Sequence, residues 1–264
     1  MTPLTDAVVV LTGAAGGVGR ATTQALLARG ARVVAVDLDA TGLDEMAGPR
    51  VEVLQADLAE LAAIEDLATR LHAIHGRIDV LVNNAGLTVH GRFDAMTTEE
   101  IDRVIDVDLR APIHLTRAVL PRLSAGGHVV FVSSMAGLEA FPTQTTYCAA
   151  KYGLRGFGAA LRLELERSGI GASTVLPGTI ATPFLANAHT HHAHTTRRLA
   201  HLMQRFGTPP ERVANAIVRG IERNRGTLRV GWDCWAVSAA AWLAPPLVPF
   251  LLRQVQRLDL LEDA

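Results

Sequence analysis

A short β-branched run, Ala7 to Leu11, leads without a break into Thr12-Gly13-Ala14-Ala15-Gly16-Gly17-Val18-Gly19-Arg20. Helical spacing of Ala21, Ala25, Leu26 and Leu27 follows, with Gly30 placed as a stop. A glycine turn between a buried strand and a helix start lets backbone N–H groups approach a pyrophosphate with no Cβ in the way. The same rhythm continues along the chain. Strands are expected at Arg32–Val36, Val51–Gln55, Ile78–Val82, His128–Val132, Gly171–Leu176 and Thr227–Val230. Helices are expected at Leu61–His75, at Thr98–Leu123 with an interruption near Pro112, at Thr145–Arg167 and at Pro210–Asn224. Alternation of this kind calls for a parallel sheet covered on both faces: an α/β, Rossmann-like doubly wound sheet of about seven strands.

Polar signals gather at the carboxyl ends of these strands, where such sheets bind ligands. Asp37 ends the second strand, and a carboxylate there accepts both ribose hydroxyls of an adenosine while repelling a 2′-phosphate. Neither Gly16 nor Leu38 supplies a cation for that phosphate, so the expected cofactor is NAD. Asp57-Leu58 closes the third strand, Asn83-Asn84-Ala85-Gly86 the fourth, and Ser134 follows the fifth.

Tyr147 and Lys151 are four apart on an expected helix, which stacks phenol and ammonium over one another. A fixed positive charge draws a phenol down from its usual pKa of about 10 and makes it a usable acid/base. Of the 25 Lys and Arg residues 24 are Arg, and the single lysine is Lys151. A planar guanidinium does not fit the small space that a compact ammonium occupies between a phenol and a ligand. Ser134 is placed to hold the oxygen that exchanges a proton with Tyr147.

Residues 5 to 231 resemble the short-chain dehydrogenases/reductases, on several motifs in the expected order. Thr12-Gly13-x-x-x-Gly17-x-Gly19, with Val18, resembles the family's cofactor turn, and Asn83-Asn84-Ala85-Gly86 its fourth-strand signature. The resemblance makes Ser134, Tyr147 and Lys151 catalytic, Asp37 the NAD-selecting acid and Asp57-Leu58 the adenine contact. It places Pro177, Gly178 and Thr182 against the nicotinamide carboxamide. One position departs: where the family has Asn in its proton relay, the chain reads Val107-Asp108-Leu109, so Asp108 takes that place as a carboxylate. The implied activity is NAD-dependent interconversion of a secondary alcohol and a ketone. Phe93, Phe141, Phe184 and Leu185 point to a lipophilic substrate. A non-catalytic NAD(P)-sensing protein and a nucleotide-sugar epimerase or dehydratase are the alternatives on this fold.

A net charge of −1 offers no footprint for nucleic acid, and the expected partner is a small molecule. Two cysteines, Cys148 and Cys234, without metal-ligand spacing fit a reducing, cytoplasmic setting, and the N-terminal run reads as a strand rather than a signal peptide. A single catalytic domain is expected over 1–231, with a substrate lid near 183–207. The lid region holds His189, His191, His192, His194 and His201, half of the ten histidines. With no carboxylate or thiolate among them in the sequence, no metal is expected. Residues 232–264 form an apolar tail with all three Trp residues; three prolines and Asp233 argue against a membrane span. Packing in a homodimer or homotetramer is expected ahead of a peripheral membrane contact.

Overall fold

The structure, a computed structural model, describes residues 1–191, 193–244 and 246–257, with backbone only for 193–195 and 255–257. Strands β1 (Val8–Thr12), β2 (Arg32–Asp37), β3 (Val51–Gln55) and β4 (Ile78–Asn83) alternate with helices α1 (Gly17–Leu27), α2 (Ala40–Asp44) and α3 (Leu61–Ile74). A two-residue strand β5 (Val89–His90) precedes α4 (Thr98–Ile105), a π-helical turn at Asp106–Arg110 and α5 (Ala111–Val119). Then come β6 (Leu123–Val132), α6 (Thr145–Leu165), β7 (Gly171–Pro177), β8 (His189–Thr190), α7 (Ala193–Phe206), α8 (Pro210–Arg223) and β9 (Thr227–Val230). Two helices close the described chain, α9 (Trp232–Leu243) and α10 (Leu247–Arg257).

The main sheet has seven parallel strands in the order β3-β2-β1-β4-β6-β7-β9. Strand alternation sorts its side chains into two cores. Val9, Leu11, Val33, Ala35, Val130 and Val132 face one layer, closed by Leu26 of α1 and by Val213, Ile217 and Ile221 of α8. Val10, Val34, Val36, Val129 and Phe131 face the other, with Leu67 and Leu71 of α3, Leu115 of α5 and Leu154 and Leu161 of α6. Because the chain steps outward from β1 to β3 and then returns to the far side of β1, the strand order reverses between β1 and β4. The crevice at such a reversal is where open α/β sheets take their ligands.

The long helix expected over 98–123 is four elements: α4, the π turn, α5 and a 3₁₀ turn at Leu120–Arg122. Pro112 has no N–H to return to the carbonyl four residues earlier, and the chain widens into the π turn just ahead of it. Strand β6 accordingly starts at Leu123, five residues before the expected His128. The expected lid region contains β8 and α7, and β8 pairs with β5 in a separate two-stranded sheet. The tail is two helices bent by 119° at their junction; among the described residues no single helix is long and apolar enough to cross a membrane.

Candidate active site

At the end of β1 the chain enters the glycine turn, and Gly13 takes a φ of +65° that only glycine adopts without strain. A Cβ there would also lie 2.7 Å from the Cα of Ala85, so the ends of β1 and β4 touch backbone to backbone. Thr12 locks them together. Its Oγ1 accepts from the N–H groups of Asn84 (3.0 Å) and Ala85 (3.1 Å), while Asn84 Nδ2 donates to the carbonyls of Thr12 and Gly13, each at 3.0 Å. Thr182 seals the other side: its Cγ2 sits 2.7 Å from where a Cβ on Gly17 would be. Gly19 is buried and Val18 half-buried in the first turn of α1.

Asp37 lies at the end of β2 with its Oδ2 accepting from Ala15 N–H at 2.8 Å and its Oδ1 from Asp39 N–H at 3.1 Å. The carboxylate is therefore held against the glycine turn. Leu38 beside it is half exposed. Arg20 also reaches this corner, a residue that attention to positions 16 and 38 alone overlooks. Its guanidinium donates to the carbonyls of Ala15 (2.9 Å) and Gly42 (3.1 Å) and to Glu45 (2.8 Å), so its charge is already matched. Asp57 caps its own turn through Ala59 N–H (3.0 Å) and sits 3.5 Å from Arg103, with Leu58 buried beneath.

The central cluster forms where α6, the π turn and the end of β4 converge. Lys151 is 3% exposed; its Nζ donates to the Val132 carbonyl at 3.3 Å and lies 3.5 Å from Asp108 Oδ2. Asp108 is fully buried, and its Oδ1 accepts from Leu87 N–H at 2.8 Å. Among the described residues Oδ2 has no hydrogen-bond donor, only the ammonium charge nearby. Gly86 makes room for both groups: a Cβ there would stand 3.0 Å from Asp108 Oδ1 and 3.1 Å from Lys151 Nζ. Ser133 Oγ donates to the Lys151 carbonyl at 2.8 Å and pins this turn of α6 to the end of β6. Ser134, next along, is half-buried and caps a short 3₁₀ turn, with its Oγ accepting from Ala136 N–H at 3.1 Å.

Burial pushes the Asp108 carboxyl up to about 6, against the opposing pull of Lys151 and the Leu87 N–H. The Tyr147 phenol is held well above its ordinary value, first by burial and then by the Asp108 carboxylate, with the Ser134 hydroxyl working the other way. This corrects the expectation that Lys151 draws the phenol down. The Lys151 ammonium is 5.4 Å from the centroid of the Tyr147 ring but faces Asp108, and that carboxylate offsets its effect on Tyr147. Tyr147 itself packs against the cluster of Val89, Val104 and Ala150, and the Phe184 ring stands 6.2 Å away, centroid to centroid, at 50°.

Of the four apolar residues singled out for a substrate pocket, Phe184 thus meets Tyr147, and Leu185 is buried. Phe141 is joined to Cys148 through its N–H at 3.4 Å, and Phe93 stands 58% exposed on a separate turn. Pro177 is buried at the end of β7, and Gly178 N–H donates to the Val230 carbonyl at 2.8 Å. Asp233 was not marked by any motif as belonging here. Its Oδ2 accepts from Thr179 N–H at 2.6 Å, so the first turn of α9 holds the loop that carries Gly178 and Thr182. Of the lid histidines, His192 lies outside the described residues, as does the side chain of His194.

The family model for short chain dehydrogenase matches residues 7–193. A protein of Mycobacterium tuberculosis named as the oxidoreductase SadH is 34% identical over 246 residues, 89% of each chain. Another from the same organism, named as the oxidoreductase EphD, is 32% identical over 257 residues; the match covers 91% of this chain and 43% of that longer one. Among solved structures, a short-chain dehydrogenase from Streptomyces avermitilis superposes with a TM-score of 0.81 at 28% identity, covering 95% of this chain and 97% of that one. A short chain dehydrogenase/reductase from Burkholderia phymatum, solved in complex with NAD, superposes with a TM-score of 0.84 at 22% identity over 94% and 96%. The chain spans less than half the length of the EphD protein, but the family model spans most of the chain and the SadH protein aligns over 89% of both chains, so the chain belongs to the short-chain dehydrogenase family.

Proposed function

We propose that this protein is an NAD-dependent oxidoreductase that interconverts a secondary alcohol and a ketone on a lipophilic small molecule. The observation that carries the reading is the burial of the chain's single lysine beside Tyr147, between Gly86, Asp108 and the Val132 carbonyl. A buried ammonium costs several kcal/mol unless it is matched, and a purely structural role has no need of that arrangement at a ligand crevice. The fit of a dinucleotide rests on the glycine turn and on the carboxylate of Asp37 at its rim. Asp37 would take the adenosine ribose hydroxyls, and Arg20, engaged by Glu45, leaves a 2′-phosphate without a cation. The NAD bound to the Burkholderia phymatum neighbour fits a nicotinamide cofactor on this fold.

When bound, the nicotinamide supplies the hydride acceptor or donor. Tyr147 handles the proton at its Oη: it gives it to the ketone oxygen in reduction and takes it from the hydroxyl in oxidation. Its raised pKa keeps the phenol protonated at neutral pH, which suits the reductive direction. Ser134 orients the reacting oxygen, and Lys151 holds the nicotinamide ribose while balancing Asp108. Phe184 stands over Tyr147 from the lid side and offers an apolar surface to the substrate.

The test is absorbance at the reduced-nicotinamide band with NAD and NADP, across secondary alcohols from short aliphatic to steroidal. Turnover with NAD strongly preferred is expected, and Asp37→Ala combined with Leu38→Arg narrows the preference. Equal turnover with both cofactors would sink the cofactor assignment, and tight cofactor binding without turnover of any alcohol or ketone would favour a sensor.

A further inference from the structure

The reaction proposed above uses none of the histidines concentrated in the lid. Two of them, His189 and His191, are separated by one residue at β8, and positions two apart on an extended strand share a face. His191 is held in place. Its N–H donates to the His90 carbonyl at 3.0 Å, continuing the β5–β8 pairing, and its ring lies over Gly91, where a Cβ would come within 2.7 Å of Cδ2. The Nε2 atoms of His189 and His191 converge on one oxygen, Oε1 of Glu100, at 2.8 and 3.0 Å.

Glu100 is equally constrained. It is the third residue of α4, in a capping box where Thr97 Oγ1 accepts from Glu100 N–H at 3.2 Å and Glu100 Oε2 accepts from Thr97 N–H at 2.8 Å. Its Oε2 is shared between the helix start and His191 Nε2, 3.1 Å away, while its Oε1 faces both imidazoles. The sequence offers the histidines no neighbouring carboxylate; the fold supplies one from 91 residues before His191.

All three donor atoms lie within 4.8 Å of one another. Donors held tetrahedrally at zinc bond lengths stand about 3.3 Å apart, so the observed 2.8 and 3.0 Å need to open by only a few tenths of an ångström. Two imidazole nitrogens and one carboxylate oxygen suit zinc, whereas calcium and magnesium prefer oxygen donors throughout. His189 is 67% exposed, which leaves an entry path and a fourth position for water.

We propose that Glu100, His189 and His191 form a binding site for a divalent transition-metal ion of the zinc class, which fastens the lid to the first turn of α4. Coordination places the proton of each ring on Nδ1 and frees Nε2 for the ion. The ion then joins two segments far apart in sequence at the mouth of the crevice, on the segment that follows Phe184.

The experiment uses the full chain, stripped with chelator and titrated with Zn²⁺ alone by calorimetry and with Co²⁺ by visible absorption. One ion per chain is expected, with Zn²⁺ slowing tryptic cleavage at Arg197 and Arg198 in α7. Glu100→Gln keeps the capping box, because glutamine serves in that position, yet it should weaken Zn²⁺ binding at least about tenfold and remove the protection. The double variant His189→Ala/His191→Ala should lose both, with circular dichroism confirming that each variant is folded. Equal Zn²⁺ affinity in wild type and Glu100→Gln would mean that the histidine-rich tract binds the ion by itself, and would overturn the site. So would an absence of Zn²⁺ uptake by the wild type, which would leave the two imidazoles as simple N–H donors to Glu100.

Discussion

The floor of the crevice and its rim are built differently. On the floor, Thr12, Asn84, Asp108, Ser133 and Lys151 are joined by short polar contacts between strand ends, and Asp108 and Lys151 are almost wholly shielded from water. The rim, made of the lid and the two last helices, keeps Leu202, Phe206, Trp232 and Trp242 more than half exposed. Buried polar groups tolerate little displacement, since each lost partner leaves an unsatisfied atom in a dry site. Exposed apolar side chains can be exchanged at small cost. The contrast teaches that the floor is fixed by matched buried polar groups, while the exposed apolar side chains of the rim are held by no such partners.

The sharpest way to break that contrast is at Lys151. Lys151→Arg keeps the charge, yet a guanidinium has no room between Gly86, Asp108 and the Val132 carbonyl. Turnover should fall at least about a hundredfold, with cofactor binding weakened less, and Tyr147→Phe should be at least as damaging. Steady-state kinetics with calorimetric cofactor binding decides; near wild-type turnover in a folded Lys151→Arg protein would show that the floor is not rigid.

Next in size is a pair of truncations in the rim. Cutting after Gly231 removes Asp233, whose carboxylate holds Thr179 N–H, and the fully buried Cys234. The loss should be about 3 kcal/mol in stability, with cofactor binding impaired. Ending the chain after Ala244 keeps both residues, so activity should survive. Light scattering on this shorter chain reports whether α10 carries an oligomer contact, as the apolar tail leads one to expect. If both truncations behave alike in thermal melts, α9 belongs to the rim alone.

A smaller effect is expected at Phe184. Its ring stands 6.2 Å from that of Tyr147, and an aromatic contact of this kind is worth about 1 kcal/mol. Phe184→Ala should raise KM for a lipophilic substrate several-fold and leave kcat nearly unchanged. A fall in kcat with KM preserved would place Phe184 with the floor instead.

The smallest expected change is a pH shift. The Asp108 carboxylate raises the Tyr147 pKa, so Asp108→Asn removes a negative charge and lowers it. Oxidation needs the phenolate, and its rising limb should therefore move to lower pH in the variant. The wild type should also show an inflection near pH 6, where Asp108 ionises, that the variant lacks. An unchanged profile would remove Asp108 from the proton path.

Much of this protein is legible in local patterns. The alternation of β-branched runs and helical spacing, the glycine turn and the Tyr147–Lys151 interval each arise among residues a few positions apart, where backbone geometry alone decides which side chains share a face. Those signals led to the seven-stranded parallel sheet and to the strand ends that meet at the crevice. The interruption at Pro112 is local too, but the π turn ahead of it places Asp108 beside Lys151 of α6, a meeting that only the packed structure shows. Asp233 against Thr179, Phe184 against Tyr147 and Glu100 against His189 and His191 had no local signature at all. Each joins segments tens of residues apart, and their meeting depends on strand order, crossover and lid docking. No spacing in the chain encodes that partnership, because a side chain's distant neighbour is settled only when the sheet has been assembled around it.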